Sequence, residues 1–261
     1  MKLEGKRVVI TGASSGIGLE LLKILLDKGC TVVASARQIE KLELSHPNLY
    51  LRKCDVSKEE ELDGLFAFSL EMMGGIDLFI ANAGFAYFEK IDKPDWEHIE
   101  AIIKTNLVGF IYCAEKMKVL NGSKPYNFVV TASGMSLLSL PGYSLYCGTK
   151  AAIRGFADAY RYELEEGQHF QVVYPIATKT NFFSRAGNNT PVAWPTQTAG
   201  TVARRIVGGI QKNRKRIFPS KVFYATNLLN RILPFINVLY VYIYNRKFQN
   251  WLQAGQQKGE K

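Results

Sequence analysis

The chain has little with which to hold a metal or a disulfide framework. Its 261 residues include four cysteines and three histidines. Cys30, Cys54, Cys113 and Cys147 are scattered through apolar segments with no metal-type spacing, and His46, His98 and His169 lie far apart. No metal site is expected, and the thiols are expected to be buried and reduced, which suits a reducing compartment. The opening Met1-Lys-Leu-Glu-Gly-Lys-Arg7 runs straight into a strand with no secretory signal, so a cytoplasmic protein is the expectation. Residues 232–245 are uncharged, but these fourteen positions contain Pro234 and Asn237 and fall short of the roughly 20 needed to cross a bilayer. Acidic residues are nearly missing from the end of the chain. Residues 201–261 hold twelve Lys and Arg against one Asp or Glu, whereas residues 1–200 hold 21 against 22.

What remains is ordinary for a globular protein: 47% hydrophobic residues, 21% charged, and a length that suits one α/β domain with a sizeable core. Short apolar runs alternate with helical periodicity. Strands are expected near 6–11, 31–35, 50–54, 76–81, 128–133, 170–174 and 215–219. Helices are expected from the turn at 12–18 to about 28, then over 58–73, 96–121, 151–166 and 198–212. Ser57 with Glu61 is expected to cap the second of these in capping-box fashion. Such alternation predicts a parallel sheet with helices on both faces.

Three stretches carry chemistry. Gly12-Ala-Ser14-Ser15-Gly16-Ile17-Gly18 follows the first strand and opens a helix. In such a turn, glycines let the backbone approach a pyrophosphate and helix N-terminal amides receive its charge. A tight βα turn with no ligand is the plainer reading. At the end of the second strand stands Ala36, followed by Arg37. An acidic residue there would bind the ribose hydroxyls of NAD, whereas a guanidinium pairs with a 2′-phosphate, so NADPH is the expected cofactor. A solvated loop arginine is the alternative. Finally, Tyr146 and Lys150 lie four apart before an Ala-rich helix and so share one face. An ammonium beside a phenol lowers its pKa and makes it a usable general acid/base. Taken alone, Tyr-X3-Lys also arises by chance in many helices.

Ser133 ends an apolar strand thirteen residues before Tyr146, and Asn106 and Asn82-Ala83-Gly84 lie farther upstream. With the glycine turn, these residues resemble the short-chain dehydrogenase/reductase family in its compact single-domain form, over about residues 6–183. The resemblance implies a Rossmann-like, doubly wound parallel α/β sheet of about seven strands. It implies NADP(H)-dependent hydride transfer between a nicotinamide and a carbonyl or secondary alcohol. The catalytic set it implies is Asn106, Ser133, Tyr146 and Lys150, with Asn106 holding a relay water and Lys150 the nicotinamide ribose. A satisfied core amide is the other reading of Asn106. Asp55 and Val56 match the adenine-contacting pair, while Pro175, Thr178 and Thr180 match the nicotinamide wall. This chain departs from the family at Ala81, usually Asn, and at Ile176, usually Gly. A homodimer or homotetramer is also implied.

Residues 1–219 are expected to form the catalytic domain, with residues 181–200 as a loop-rich substrate lid containing Phe182, Phe183, Asn188, Asn189 and Trp194. Met135, Tyr143, Phe182 and Phe183, with Ser133 and Tyr146, are the expected substrate contacts. Their apolar character favours a steroid-, retinoid- or fatty-type carbonyl. Residues 220–261 are an apolar, basic helical extension with two readings for 220–247: a peripheral membrane contact, or packing on its own domain or a second subunit. Nucleic acid is not expected, because the basic residues interleave with aliphatics and no binding module is visible. A non-catalytic NADP-binding scaffold at a membrane is the alternative function. The Asn106–Ser133–Tyr146–Lys150 set argues against it. A sugar epimerase or dehydratase of the related larger fold would carry a different glycine turn and a longer substrate domain.

Overall fold

The structure is a computed structural model that describes residues 1–187 and 189–259. Asn188 of the expected lid and residues 260–261 of the extension lie outside the described residues. In chain order the elements are β1 (Arg7–Thr11), α1 (Gly16–Asp27), β2 (Thr31–Ala36), β3 (Leu49–Lys53), α2 (Glu59–Met73), β4 (Leu78–Ala81), α3 (Trp96–Ile103), α4 (Gly109–Asn121), β5 (Asn127–Thr131), α5 (Ser144–Tyr160), β6 (His169–Val173), β7 (Thr178–Lys179), α6 (Phe182–Ala186), β8 (Gln197–Thr198), α7 (Ala199–Gln211), β9 (Arg216–Ile217), α8 (Lys221–Leu229) and α9 (Phe235–Gly259).

Seven parallel strands form one sheet in the order β3-β2-β1-β4-β5-β6-β9, and β7 pairs with β8 apart from it. The sheet is buried on both faces because successive strand residues point to opposite sides. Val8, Ile10, Val32 and Ala34 face α1 and α7, meeting Leu21, Leu22, Leu25, Ile206 and Ile210. Val9, Val33, Phe79, Phe128 and Phe170 face α2, α4 and α5, meeting Leu65, Phe110, Met117, Ile153 and Tyr160. The parallel register sets Phe79 opposite Phe128 and Phe128 opposite Phe170. With Phe66 they form a ring stack whose centroids are 5.4, 5.3 and 5.1 Å apart. This is the Rossmann-like doubly wound arrangement, and its strand order reverses between β1 and β4. Ligands of such sheets bind at that reversal, over the carboxyl ends of the strands.

One local expectation fails and one gains a detail, each for an identifiable reason. Ser57 does not cap α2: its N–H and hydroxyl both donate to Asp55 Oδ1, at 3.0 and 2.8 Å. Glu61 instead accepts from the Asp55 N–H at 2.7 Å, so it fixes the loop before the helix. The long helix expected over 96–121 is interrupted by a π turn at Lys104–Val108, with Asn106 buried within it. Such turns re-aim side chains and often mark functional sites.

Residues 220–259 add α8 and α9. Ser220 caps α8 by accepting from the Phe223 N–H at 3.1 Å. Pro234 immediately precedes α9 instead of breaking it. The inner face of α9 packs on the body of the protein: Tyr244 is buried among Phe88, Tyr143 and Cys147, and Phe248 and Trp251 meet Phe88 edge-on. One face of the extension therefore packs on its own chain. The other face is exposed. No described helix is long and apolar enough to cross a membrane.

Candidate active site

A cavity of about 1340 Å³ opens over the carboxyl ends of the sheet. On its wall stand Gly12, Ser14, Ser15, Gly16, Ile17, Arg37, Asp55, Val56, Asn82, Ala83 and Gly84, with Ser133, Met135, Tyr146, Lys150, Pro175, Thr178, Thr180, Phe182 and Phe183. Gly18, Asn106 and Tyr143 are not on that wall, and each is placed behind it by packing.

The glycine turn is shaped by what a side chain would strike. Gly12 and Gly16 have positive φ, at 67° and 57°. A Cβ on Gly12 would lie 2.9 Å from Ala83 Cα, and one on Gly16 would lie 3.1 Å from Thr180 Cγ2. A Cβ on Gly18 would run into the Gly12 carbonyl, so Gly18 sets how closely α1 approaches the turn. Ser15 precedes α1 but gives it no side-chain cap, so its hydroxyl satisfies none of the first helical N–H groups. This cradle fits a dinucleotide pyrophosphate. Gly18→Ala is expected to weaken NADPH binding roughly tenfold or more by pushing α1 off the turn. Fluorescence titration checks it, and unchanged affinity would mean the turn relaxes without cost.

Asn82 ties three strand ends together. Its Nδ2 donates to the carbonyls of Thr11 and Gly12, both at 3.3 Å, and its Oδ1 accepts from the Thr131 hydroxyl at 3.1 Å. Thr11 Oγ1 in turn accepts from the N–H groups of Asn82 and Ala83, at 3.1 and 3.2 Å. The turn, the β4 end and the β5 end are thus held as one piece.

Asn106 is a clip. Its Oδ1 accepts from the Phe85 N–H at 3.0 Å, while Nδ2 donates to the Phe85 carbonyl at 2.8 Å and to Thr149 Oγ1 at 3.2 Å. The Thr149 hydroxyl in turn donates to the Tyr146 carbonyl at 2.9 Å. Both side-chain amide protons are donated within the protein. Asn106 joins the loop after β4 to α5.

Tyr146 and Lys150 lie one turn apart on α5, both buried, with Ser133 at the end of β5. The expected effect of Lys150 on Tyr146 is not the dominant one. Burial pushes the Tyr146 phenol well above its usual pKa, and a hydrogen bond with Ser133 pulls the other way. The Lys150 ammonium lies 5.6 Å from the Tyr146 ring centroid and donates to the Thr131 carbonyl at 2.8 Å. Burial lowers the Lys150 pKa from 10.5 to about 7. A phenol held protonated in this way can give a proton to an oxygen bound beside Ser133.

The Lys150 shift has a stability signature. Between pH 7 and 10.5 the unfolded chain holds a proton on Lys150 that the folded chain has released, so stability rises with pH across that window. The slope is at most about 1.4 kcal/mol per pH unit. Urea unfolding of the cofactor-free protein and of Lys150→Met should diverge between pH 7 and 9. A difference that stays flat would mean the amine keeps its proton in the fold.

The structure also shows groups that sequence reading missed. Lys53, at the end of β3, is paired in register with Ala36, beside Arg37, and both cations are exposed on the cavity wall. Phe85 and Tyr87 line the same cavity as Phe182 and Phe183, as does Ile176, the residue noted in the sequence for its departure from the family. Tyr143 packs behind Tyr146 against Phe88, ring centroids 4.9 Å apart, and so supports α5 without meeting the cavity.

Residues 6–190 match the family described as short chain dehydrogenase. The chain belongs to that family. This short-chain dehydrogenase is 30% identical to 3-ketodihydrosphingosine reductase of Dictyostelium discoideum over 244 residues, covering 80% of this chain and 73% of that protein. It is also 30% identical to farnesol dehydrogenase of Aedes aegypti over 173 residues, covering 61% and 71% respectively. Its fold is that of a short chain dehydrogenase/reductase from Burkholderia phymatum, solved in complex with NAD, at a TM-score of 0.78 and 20% identity over 92% of this chain and 96% of that one. Membership makes it an oxidoreductase of the class acting on CH–OH and C=O groups with a nicotinamide dinucleotide.

Proposed function

We propose that this short-chain dehydrogenase is an NADP(H)-dependent oxidoreductase for an apolar ketone or secondary alcohol, with Tyr146 as its general acid/base. The observation that carries this reading is the meeting of Ser133, Tyr146 and Lys150 on one cavity wall with the glycine turn. When bound, the nicotinamide supplies or accepts the hydride. Gly12, Gly16 and the start of α1 hold the pyrophosphate, and Arg37 with Lys53 takes the 2′-phosphate. Asp55 and Val56 sit at the adenine end, while Pro175, Thr178 and Thr180 border the nicotinamide. In the reductive direction Ser133 donates a hydrogen bond to the substrate oxygen and stabilises the charge developing there. Tyr146 gives that oxygen its proton. Lys150 would hold the nicotinamide ribose and, when protonated, favour the phenolate that Tyr146 becomes. Asn106 acts through Thr149 and the Phe85 loop to position α5.

Two observations favour an apolar substrate. The cavity beyond Ser133 is lined by Met135, Ile176, Phe182 and Phe183, and two relatives are named for long-chain lipid substrates, farnesol and 3-ketodihydrosphingosine. The test is oxidation of NADPH and NADH by the purified protein over matched series of apolar and polar ketones. Turnover rising with chain length and preferring NADPH is expected. Turnover confined to small polar ketones, or equal use of NADH, would contradict the reading.

A further inference from the structure

The first three turns of α9 carry apolar residues on both their inner and their outer side. Tyr240, Val241 and Tyr244 pack inward, while Val238, Leu239, Tyr242 and Ile243 are 68%, 57%, 61% and 54% exposed. These four outer residues follow the spacing i, i+1, i+4, i+5 and form one stripe. Leu229 and Ile232, at the α8–α9 turn, continue it and are 45% and 76% exposed. A helix with apolar residues on two opposite sides needs a partner for each, and an exposed patch of this kind marks an interaction surface.

The charge around the stripe decides what covers it. Lys221, Arg231, Arg246 and Lys247 are exposed on α8, α9 and their junction, and residues 201–261 hold a single acidic residue. A second copy meeting this face symmetrically would set basic rim against basic rim. An anionic bilayer complements it, each Lys or Arg near the surface raising partition about fivefold. Between α8 and the sheet edge lies a cavity of about 280 Å³ lined by Leu137, Tyr174, Phe218 and Leu228 as well as Asn227 and Arg231, with Arg216 on its wall already ion-paired to Asp158 at 2.9 Å. No described helix crosses a membrane, so the face would lie in the interface plane.

The same two helices are built into the site. Tyr240, Tyr244 and Lys247 donate to the carbonyls of Trp194, Pro191 and Val192, at 2.6, 3.0 and 3.4 Å. Those carbonyls belong to the segment that begins with Phe182 and Phe183 on the cavity wall. From α8, Phe223 packs against Gly134, where a Cβ would meet its ring at 3.2 Å, next to Ser133.

We propose that the α8–α9 face docks on the surface of a bilayer bearing anionic lipid, and that the site draws its apolar substrate from that bilayer. Docking stands on the surface alone, whereas substrate delivery rests on the carbonyl-reductase reading. Flotation with phosphatidylcholine vesicles, with and without phosphatidylglycerol, tests the first half. The protein should float with the anionic vesicles and lose that binding at high salt. Val238→Glu/Leu239→Glu should reduce partition more than tenfold, while NADPH affinity and turnover of a water-soluble ketone stay unchanged. Absence of flotation overturns docking. So does concentration-dependent self-association in sedimentation that the same variant abolishes, because a second copy then covers the face. For delivery, the variant should lose most turnover of a long-chain ketone dissolved in the vesicles. Equal turnover by both proteins overturns it. If no ketone is reduced even in solution, the carbonyl reading and delivery fail together, and flotation still decides docking.

Discussion

Tyr146→Phe is expected to lower kcat about a thousandfold while leaving NADPH affinity unchanged. The substitution removes one hydroxyl from a ring that stays packed against Phe182 and Tyr143, with centroids 5.6 and 6.1 Å away. Little else should move, so the loss reports the proton. A positioned general acid contributes about 10²–10⁴-fold, and burial keeps this phenol protonated until substrate needs it. Ser133→Ala should cost less, about a hundredfold, because it removes one donor to the developing oxyanion and leaves the acid in place. Stopped-flow NADPH oxidation and fluorescence titration together separate the chemical step from cofactor binding. Tyr146→Phe activity within about tenfold of the parent would mean the proton comes from elsewhere.

The second large effect is at the adenosine end. Arg37→Asp is expected to shift the NADPH-to-NADH preference by about a thousandfold toward NADH. A charge-assisted hydrogen bond to a phosphate is worth about 1.5–3 kcal/mol, or roughly 10- to 150-fold. The new carboxylate adds repulsion of the 2′-phosphate and accepts from free ribose hydroxyls. Lys53→Ala should weaken NADPH binding about tenfold and leave NADH alone, since its register with Ala36 puts it at the strand end next to Arg37. The ratio of the two dissociation constants is the measurement. A ratio unmoved by Arg37→Asp would make Arg37 a solvated loop residue.

The parts of the site legible in the sequence are those fixed by local chemistry at strand ends or by helical spacing. The glycine turn and Ser133 each sit where a short apolar strand gives way to a helix or loop, and the Tyr146–Lys150 pair is set by helical spacing in the first two turns of α5. The unreadable parts depend on geometry that spacing does not encode. Lys53 meets Arg37 only through the parallel register of β2 and β3. The π turn at Asn106 is hidden because Ile102, Ile103, Leu107 and Val108 sustain a helical pattern across it. Ser57 reads as a cap, yet Asp55 is the nearer acceptor for both its N–H and its hydroxyl. The balance between burial and the Lys150 charge at Tyr146 needed the depth of the pocket. For the tail, membrane contact and packing read as alternatives, yet α9 packs one apolar face on its own chain and leaves apolar residues exposed on another.

Direct transfer of hydride to an apolar carbonyl is the central claim, and it can be followed by isotope. The protein would be incubated with NADPH carrying deuterium at the transferable nicotinamide position and a long-chain ketone, and the product read by mass spectrometry. The account predicts an alcohol heavier by about one mass unit, formed in step with NADP⁺ and absent with Tyr146→Phe. NADPH that binds tightly yet yields no labelled alcohol from any ketone, polar or apolar, would contradict it and leave a nucleotide-binding protein without this chemistry.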